Sequence, residues 1–328
     1  MKKYSFILLL SILAVCMLSA CGSSEKTSEK TDTLEDSEKL SIVTTIFPEY
    51  DWVRQIVGDT DSAEITMLLD NGVDLHSYQP AAEDIVKISS CDLFLYVGGE
   101  SDGWVENALA EASNPDRKVL NILDVLGDRV KEEEMAEGME TEEEEENDAP
   151  EYDEHVWLSL KNAQVLCSTI ADTLSEIDPE HAETYRANAA AYREKLSSLD
   201  TDYADAVETG EQNTLLFGDR FPFRYLADDY GLNYYAAFAG CSAESEASFE
   251  TIVFLANKVE ELGLCCVMQL EGSDGKIAQT IIDTAESKDL KILTMDSMQS
   301  TTSNDVQNGA SYLSIMEKNL EVLKEALK

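Results

Sequence analysis

Between Asp178 and Thr209 no glycine interrupts the chain, and the single proline, Pro179, stands at the start of the stretch. Tyr185, Ala189, Tyr192, Leu196, Leu199, Tyr203 and Val207 recur there every three or four residues, the spacing of one face of a helix. Asp178-Pro179 reads as an N-cap followed by proline at the first helical position, and Gly210 ends the run. The pattern predicts one helix roughly 45 Å long. Such a helix is long enough to cross a whole lobe and enter the next, so it fixes the plan of the molecule.

On its N-terminal side, residues 42–47, 65–69, 93–97 and 119–123 are short β-rich runs. Tyr50, Val53, Ile56 and Val57, then Ile85 and Ile88, keep helical spacing between them, and Leu166, Ile170, Leu174 and Ile177 mark a helix over 161–177. After Gly210 the alternation resumes, with strands at 215–217, 234–238, 264–270 and 290–295 and helices at 221–230, 248–262, 276–287 and 311–327. Strands alternating with helices indicate parallel sheets covered by helices. The expected fold class is α/β: two α/β lobes with parallel-type sheets joined by one long backbone helix. The N-terminal lobe takes residues 41–178, the linking helix 179–209 and the C-terminal lobe 210–328. A single stiff connection predicts little hinge motion. Residues 131–154 interrupt the first lobe; fourteen of those twenty-four are Asp or Glu, including the run Glu142 to Glu146, and a like-charged block of this kind reads as disordered or loop-like.

Ahead of the body, Lys2 and Lys3 precede an apolar run from Phe6 to Leu18 broken by Ser11, then Leu18-Ser19-Ala20-Cys21. This is the grammar of a secretory signal over residues 1–20, and the run is too short for a stable membrane span. A cysteine after the cut resembles the lipobox of bacterial lipoproteins, which implies lipid on Cys21 and an extracytoplasmic protein anchored to the cell membrane. Residues 22–39 are Ser, Thr, Glu, Asp, Lys and Gly with one leucine, Leu34. Such a stretch buries too little apolar surface to offset its chain entropy, so residues 21–40 read as a flexible tether.

The chain carries 24 Lys+Arg against 66 Asp+Glu, a formal net charge of -42. That excludes nucleic acid as a partner, since phosphates are repelled, and it attracts cations. Beyond Cys16 and Cys21 the cysteines are Cys91, Cys167, Cys241, Cys265 and Cys266, an odd number without a C-x-x-C pair. A disulfide framework is not expected in a domain this large. Cys91, Cys167, Cys265 and Cys266 read as small buried hydrophobes, and Cys241, in Ala-Gly-Cys-Ser, is left without a role.

The three histidines are His76, His155 and His181. His181 lies among glutamates in the long helix and reads as a solvated residue. His76 follows a strand and precedes a helix, and the carboxyl ends of strands are where open α/β sheets bind ligands. His155 sits between the acidic block and the next helix. Two loop histidines in one lobe of a cation-attracting chain make a metal site, neutral imidazole being the commonest ligand for zinc-like ions.

The stretch Val43-Thr44-Thr45-Ile46-Phe47-Pro48, the loop from Gly72 through His76 to Pro80, the block His155-Val156-Trp157 and Asp178-Pro179 resemble the zinc/manganese-type solute-binding lipoproteins of ABC transporters. The similarity runs from about residue 41 onward. It implies two lobes with one metal ion in the cleft between them, Zn²⁺ or Mn²⁺ as bound cargo, and His76 and His155 as ligands from the first lobe. It also implies a ligand where this chain has Gly218-Asp219-Arg220, of which only Asp219 can bind a cation, and another at Asp296; Glu271 is a substitute or supporting carboxylate. The expected protein is a monomeric binder, not an enzyme, that delivers its ion to an ABC transporter permease and its ATPase. A lipid-anchored zinc-dependent hydrolase and an adhesin on the same fold are the alternatives. Catalytic zinc needs an open position and a nearby general base, and the sequence has no H-E-x-x-H and too few histidines for a three-histidine site.

Overall fold

The computed structural model describes residues 39–110, 112–140, 151–242, 246–287 and 289–328. The leader, Cys21 and the tether as far as Glu38 lie outside the described residues. In the first lobe, β1 (Leu40–Thr44), β2 (Ala63–Met67), β3 (Leu93–Tyr96) and β4 (Lys118–Asn121) form a parallel sheet in the order β2-β1-β3-β4. The helices α1 (Phe47–Val57), α2 (Ala82–Ser90) and α3 (Val105–Ala110) fill the crossovers, and α4 (Ile122–Leu126) follows β4. β1 stops earlier than its apolar run suggests. The Thr45 and Ile46 N–H groups donate to the Glu49 carboxylate at 2.9 and 3.4 Å, which caps α1 and turns the chain out of the sheet.

Two long helices follow. α5 (Leu160–Ile177) and α6 (Ala182–Thr209) pack antiparallel as a brace, and α6 is about 42 Å long at 1.5 Å per residue. Its buried face carries Tyr185, Ala189, Tyr192, Leu196, Leu199 and Tyr203, the stripe expected from the sequence. Its start is different. Asp178 closes α5, and α6 begins at Ala182. The Asp178 carboxylate accepts from Tyr185 Oη at 2.6 Å and lies 2.7 Å from His181 Nδ1, so it is spent on side chains of the next helix and not on a backbone cap.

The second lobe repeats the first. β5 (Thr214–Phe221), β6 (Asn233–Ala239), β7 (Cys266–Leu270) and β8 (Lys291–Met295) form a parallel sheet ordered β6-β5-β7-β8, with α7 (Arg224–Tyr230), α8 (Phe249–Leu262) and α9 (Lys276–Thr284) between strands. β5 runs through Gly218-Asp219-Arg220, where a loop was expected, with a register shift between Phe217 and Arg220. A Cβ on Gly218 would lie 2.6 Å from Ala278 Cα, so that glycine admits α9 against the strand.

After the short α10 (Ser303–Gln307), α11 (Tyr312–Ala326) leaves the second sheet and returns to the first lobe. Tyr312 N–H donates to Asp51 at 2.9 Å, its hydroxyl donates to the Trp157 carbonyl at 2.6 Å, and its ring meets Trp52 edge-on at 5.1 Å.

The acidic insertion is more ordered at its ends than its composition suggests. Lys131 to Glu133 pair antiparallel with Glu151 to Asp153. The outgoing arm then crosses the second lobe: Glu140 N–H donates to the Ala237 carbonyl at 2.9 Å, and Phe254 of α8 fills the space a Gly138 side chain would need. The run Glu142 to Glu146 falls outside the described residues. Among the described residues no helix is long and apolar enough to cross a membrane, and Cys91, Cys167, Cys241, Cys265 and Cys266 are unpaired.

Candidate metal centre

His76 lies on a one-turn 3-10 helix, Leu75–Ser77, in the connection between β2 and α2. Asp74 caps that turn by accepting the His76 N–H at 3.0 Å, and its other oxygen takes Arg220 Nη2 of β5 at 2.7 Å. His76 Nδ1 is 2.7 Å from Ser101 Oγ and 3.7 Å from Glu154 Oε2. Burial, then the neighbouring His155 and Arg220, push its pKa well below the ordinary value, so the ring is held neutral with a lone pair to offer.

His155 is fully buried and leads into the 3-10 turn Val156–Leu158. Asp153 accepts its backbone N–H at 2.8 Å and lies 3.0 Å from its Nδ1. A carboxylate on Nδ1 leaves Nε2 as the nitrogen for a cation. Trp157 packs 5.2 Å from the imidazole and donates its indole N–H to the Ser297 carbonyl at 2.9 Å, so both lobes hold this turn.

The two imidazoles converge: His76 Nε2 and His155 Nε2 are 3.3 Å apart. Two nitrogens each 2.0–2.1 Å from a tetrahedral zinc ion stand about 3.3 Å apart. The pair therefore has the separation that one such ion requires.

The second lobe supplies Cys241, at the carboxyl end of β6. The ligand atoms of His76, His155 and Cys241 all lie within 4.8 Å of one another, the one such group among the described residues. Gly240 makes this possible. A Cβ there would stand 3.2 Å from His155 Cε1 and 3.0 Å from the Phe221 carbonyl. Gly240→Val is expected to cost about 1–3 kcal/mol of stability through this crowding and to move the His155 ring; denaturant unfolding and metal titration of the variant check both. The Cys241 N–H donates to Glu133 at 3.0 Å. Burial, then Asp153, Glu133 and Glu154, raise the thiol well above its ordinary range, while the Glu154 backbone N–H acts in the opposite sense.

Gln299, from the loop after β8, bridges the lobes. Its side-chain amide is set between the Asp74 carboxylate and His155 Nε2. Glu271 holds that loop, accepting from Ser297 N and Oγ, both at 2.7 Å, and from Gln299 N at 3.3 Å.

The carboxylates expected as ligands from the second lobe are not in the convergent group. Asp219 Oδ2 accepts the Leu270 N–H at 3.1 Å and Oδ1 accepts the Arg220 N–H at 2.9 Å; it closes the irregularity in β5 against β7. Nor does it cap a helix, because α7 begins only at Arg224. Asp296 accepts the Met298 N–H at 2.8 Å and shapes the loop that carries Gln299. Sequence reasoning missed Cys241, Glu133 and Gln299. For Cys241 the signal was present: it follows a strand end, as His76 does.

Two α/β lobes with convergent side chains between them define a two-lobed solute-binding protein. Residues 42–326 match the family model described as ZnuA, zinc-uptake complex component A, periplasmic, and the chain belongs to that family. It is 34% identical over 99% of its length to the zinc-binding lipoprotein AdcA of Streptococcus pneumoniae. It spans about three-fifths of that relative, 61% of its length. It is 29% identical to the high-affinity zinc uptake system protein ZnuA of Bacillus subtilis, covering 99% of this chain and 98% of that one. The Zn(II)-bound ZnuA-like domain of Streptococcus pneumoniae AdcA is 32% identical and superimposes with a TM-score of 0.68, over 88% of this chain and 99% of that chain. The family is one of metal-uptake binding proteins, not of enzymes.

Proposed function

We propose that this chain captures zinc outside the cytoplasmic membrane and passes it to an ABC-type permease. The observation that carries the reading is the 3.3 Å separation of His76 Nε2 and His155 Nε2, each ring steadied through its other nitrogen. Zinc-binding relatives support the choice of ion, and a relative named as a lipoprotein supports anchoring through lipid on Cys21. The chain works as an N-terminal lobe, a linking helix and a C-terminal lobe, with the ion between the lobes. In this reading Asp219 holds β5 against β7 and Asp296 shapes the loop that carries Gln299.

Elemental analysis of the purified chain after zinc loading and desalting is expected to return one zinc per chain. Cells lacking the gene are expected to take up radioactive zinc more slowly at limiting metal, with rescue by the intact gene. No retained zinc sinks the capture; normal uptake in the deletion strain sinks the delivery.

A further inference from the structure

We infer that Cys241 is the third protein ligand of the captured ion, giving a two-histidine, one-thiolate site that favours zinc over manganese. The inference deepens the zinc-capture reading and rests on it. It starts from placement. The sulfur shares one 4.8 Å cluster with the two imidazoles, and it is brought there by a glycine that lets β6 pass against the His155 ring. Zinc takes sulfur at about 2.3 Å and imidazole nitrogen at about 2.0–2.1 Å, so a tetrahedral site needs S and N about 3.5 Å apart. The remaining approach is a side-chain adjustment, not a refolding.

The chemistry around the sulfur fits a cation. Glu133 accepts the Cys241 N–H, Asp153 lies against His155, and Glu154 and Asp74 lie beside His76. Arg220 is bound to Asp74 and to the Ser242 carbonyl. The carboxylates thus leave a net negative field at a half-buried cysteine, which a divalent ion balances. When the ion binds, the S–H bond gives way to a metal–sulfur bond, and the proton leaves through the adjacent Glu133 carboxylate to solvent. The role also answers a vacancy in the donor set. The second lobe offers Arg220, a cation, on the strand where a ligand was sought, and Asp219 there is occupied by backbone N–H groups. A soft thiolate selects zinc, whereas manganese prefers carboxylate, carbonyl and water.

The test compares the full mature chain with Cys241→Ser and Cys241→Ala, each loaded with Co²⁺ or Zn²⁺ alone. The wild type with Co²⁺ is expected to show an intense near-ultraviolet thiolate-to-cobalt band, absent from both variants. X-ray absorption of the zinc form should show one sulfur at about 2.3 Å. Competition titration should show the Ser variant weaker for zinc by at least the ~10–100-fold that even outer-shell partners are worth, with its preference over manganese reduced by a similar factor. Unchanged metal-free melting of the Ser variant establishes that the fold survives; if it melts lower, the wild-type cobalt spectrum alone decides. Tight zinc binding without the sulfur signal, at unchanged affinity in the Ser variant, overturns the inference and leaves zinc capture standing. Failure of the wild type to bind zinc overturns both.

Discussion

Replacing His76 and His155 together by alanine abolishes high-affinity zinc binding and leaves a folded protein. His76 lies in the connection after β2 and His155 in the one that leads to α5, so no strand loses its register. Structural zinc sites are worth about 10–16 kcal/mol; losing even a third of that weakens binding about a thousandfold. Melting with and without zinc gives the clearest measurement. A ligand at a thousand times its dissociation constant stabilises by about 4 kcal/mol, and the double variant should show no such rise. His155 is fully buried, so its removal also leaves a cavity, and the comparison must be made against the variant's own metal-free melting point. A double variant that keeps the zinc-induced rise would show that the ion sits elsewhere.

The second large effect is a dependence of stability on pH. Glu49 is fully buried beneath β1, with one carboxylate oxygen accepting three hydrogen bonds from Thr45 and Ile46 and the other without a partner. Burial, then the Asp102 carboxylate, push its pKa from 4.5 up to about 8. The folded chain therefore keeps this proton at pH values where the unfolded chain has lost it. Because the unfolded state binds fewer protons, stability falls as pH rises through this range, from about 4.5 to about 8. At 1.36 kcal/mol per unit, the fall is up to about 4 kcal/mol between pH 5 and pH 8. Glu49→Gln retains an acceptor and cannot ionise, so it should flatten the curve and exceed the wild type in stability at pH 8. Denaturant unfolding of both proteins across this range decides it; parallel curves would show that Glu49 ionises normally.

Most of the architecture could be read from periodicity. Alternating runs place both sheets, and the tyrosine and leucine stripe of α6 is visible without coordinates. What could not be read depends on partners distant in sequence. Gly218 and Asp219 are poor strand formers, yet β5 continues through them because Ala278 packs on the glycine and the Leu270 N–H meets Asp219. Asp178 has the composition of a cap and is used instead by His181 and Tyr185. For the metal centre, the histidines were legible because rare residues on loops stand out, His76 after a strand and His155 ahead of a helix. Cys241 stood apart from the four core-like cysteines but had no partner in sequence, and only the backbone approach at Gly240 brings it to an imidazole. The acidic insertion was read by composition alone, which describes its charge and not the pairing of its two ends.

The return of α11 to the first lobe governs the order in which the molecule can be assembled. Tyr312 and Asp51 are 261 residues apart along the chain, and the same tyrosine holds the Trp157 carbonyl, two residues beyond His155. The first lobe is thus unfinished while residues 312–326 are missing, however long its own strands have been available. Contacts of such separation require the cost of closing the intervening chain before they contribute anything, and they slow folding. Maturation of the site is accordingly a late event in folding. A chain released without α11 would carry both histidines and the cysteine yet lack the wedge that seats the turn beneath them.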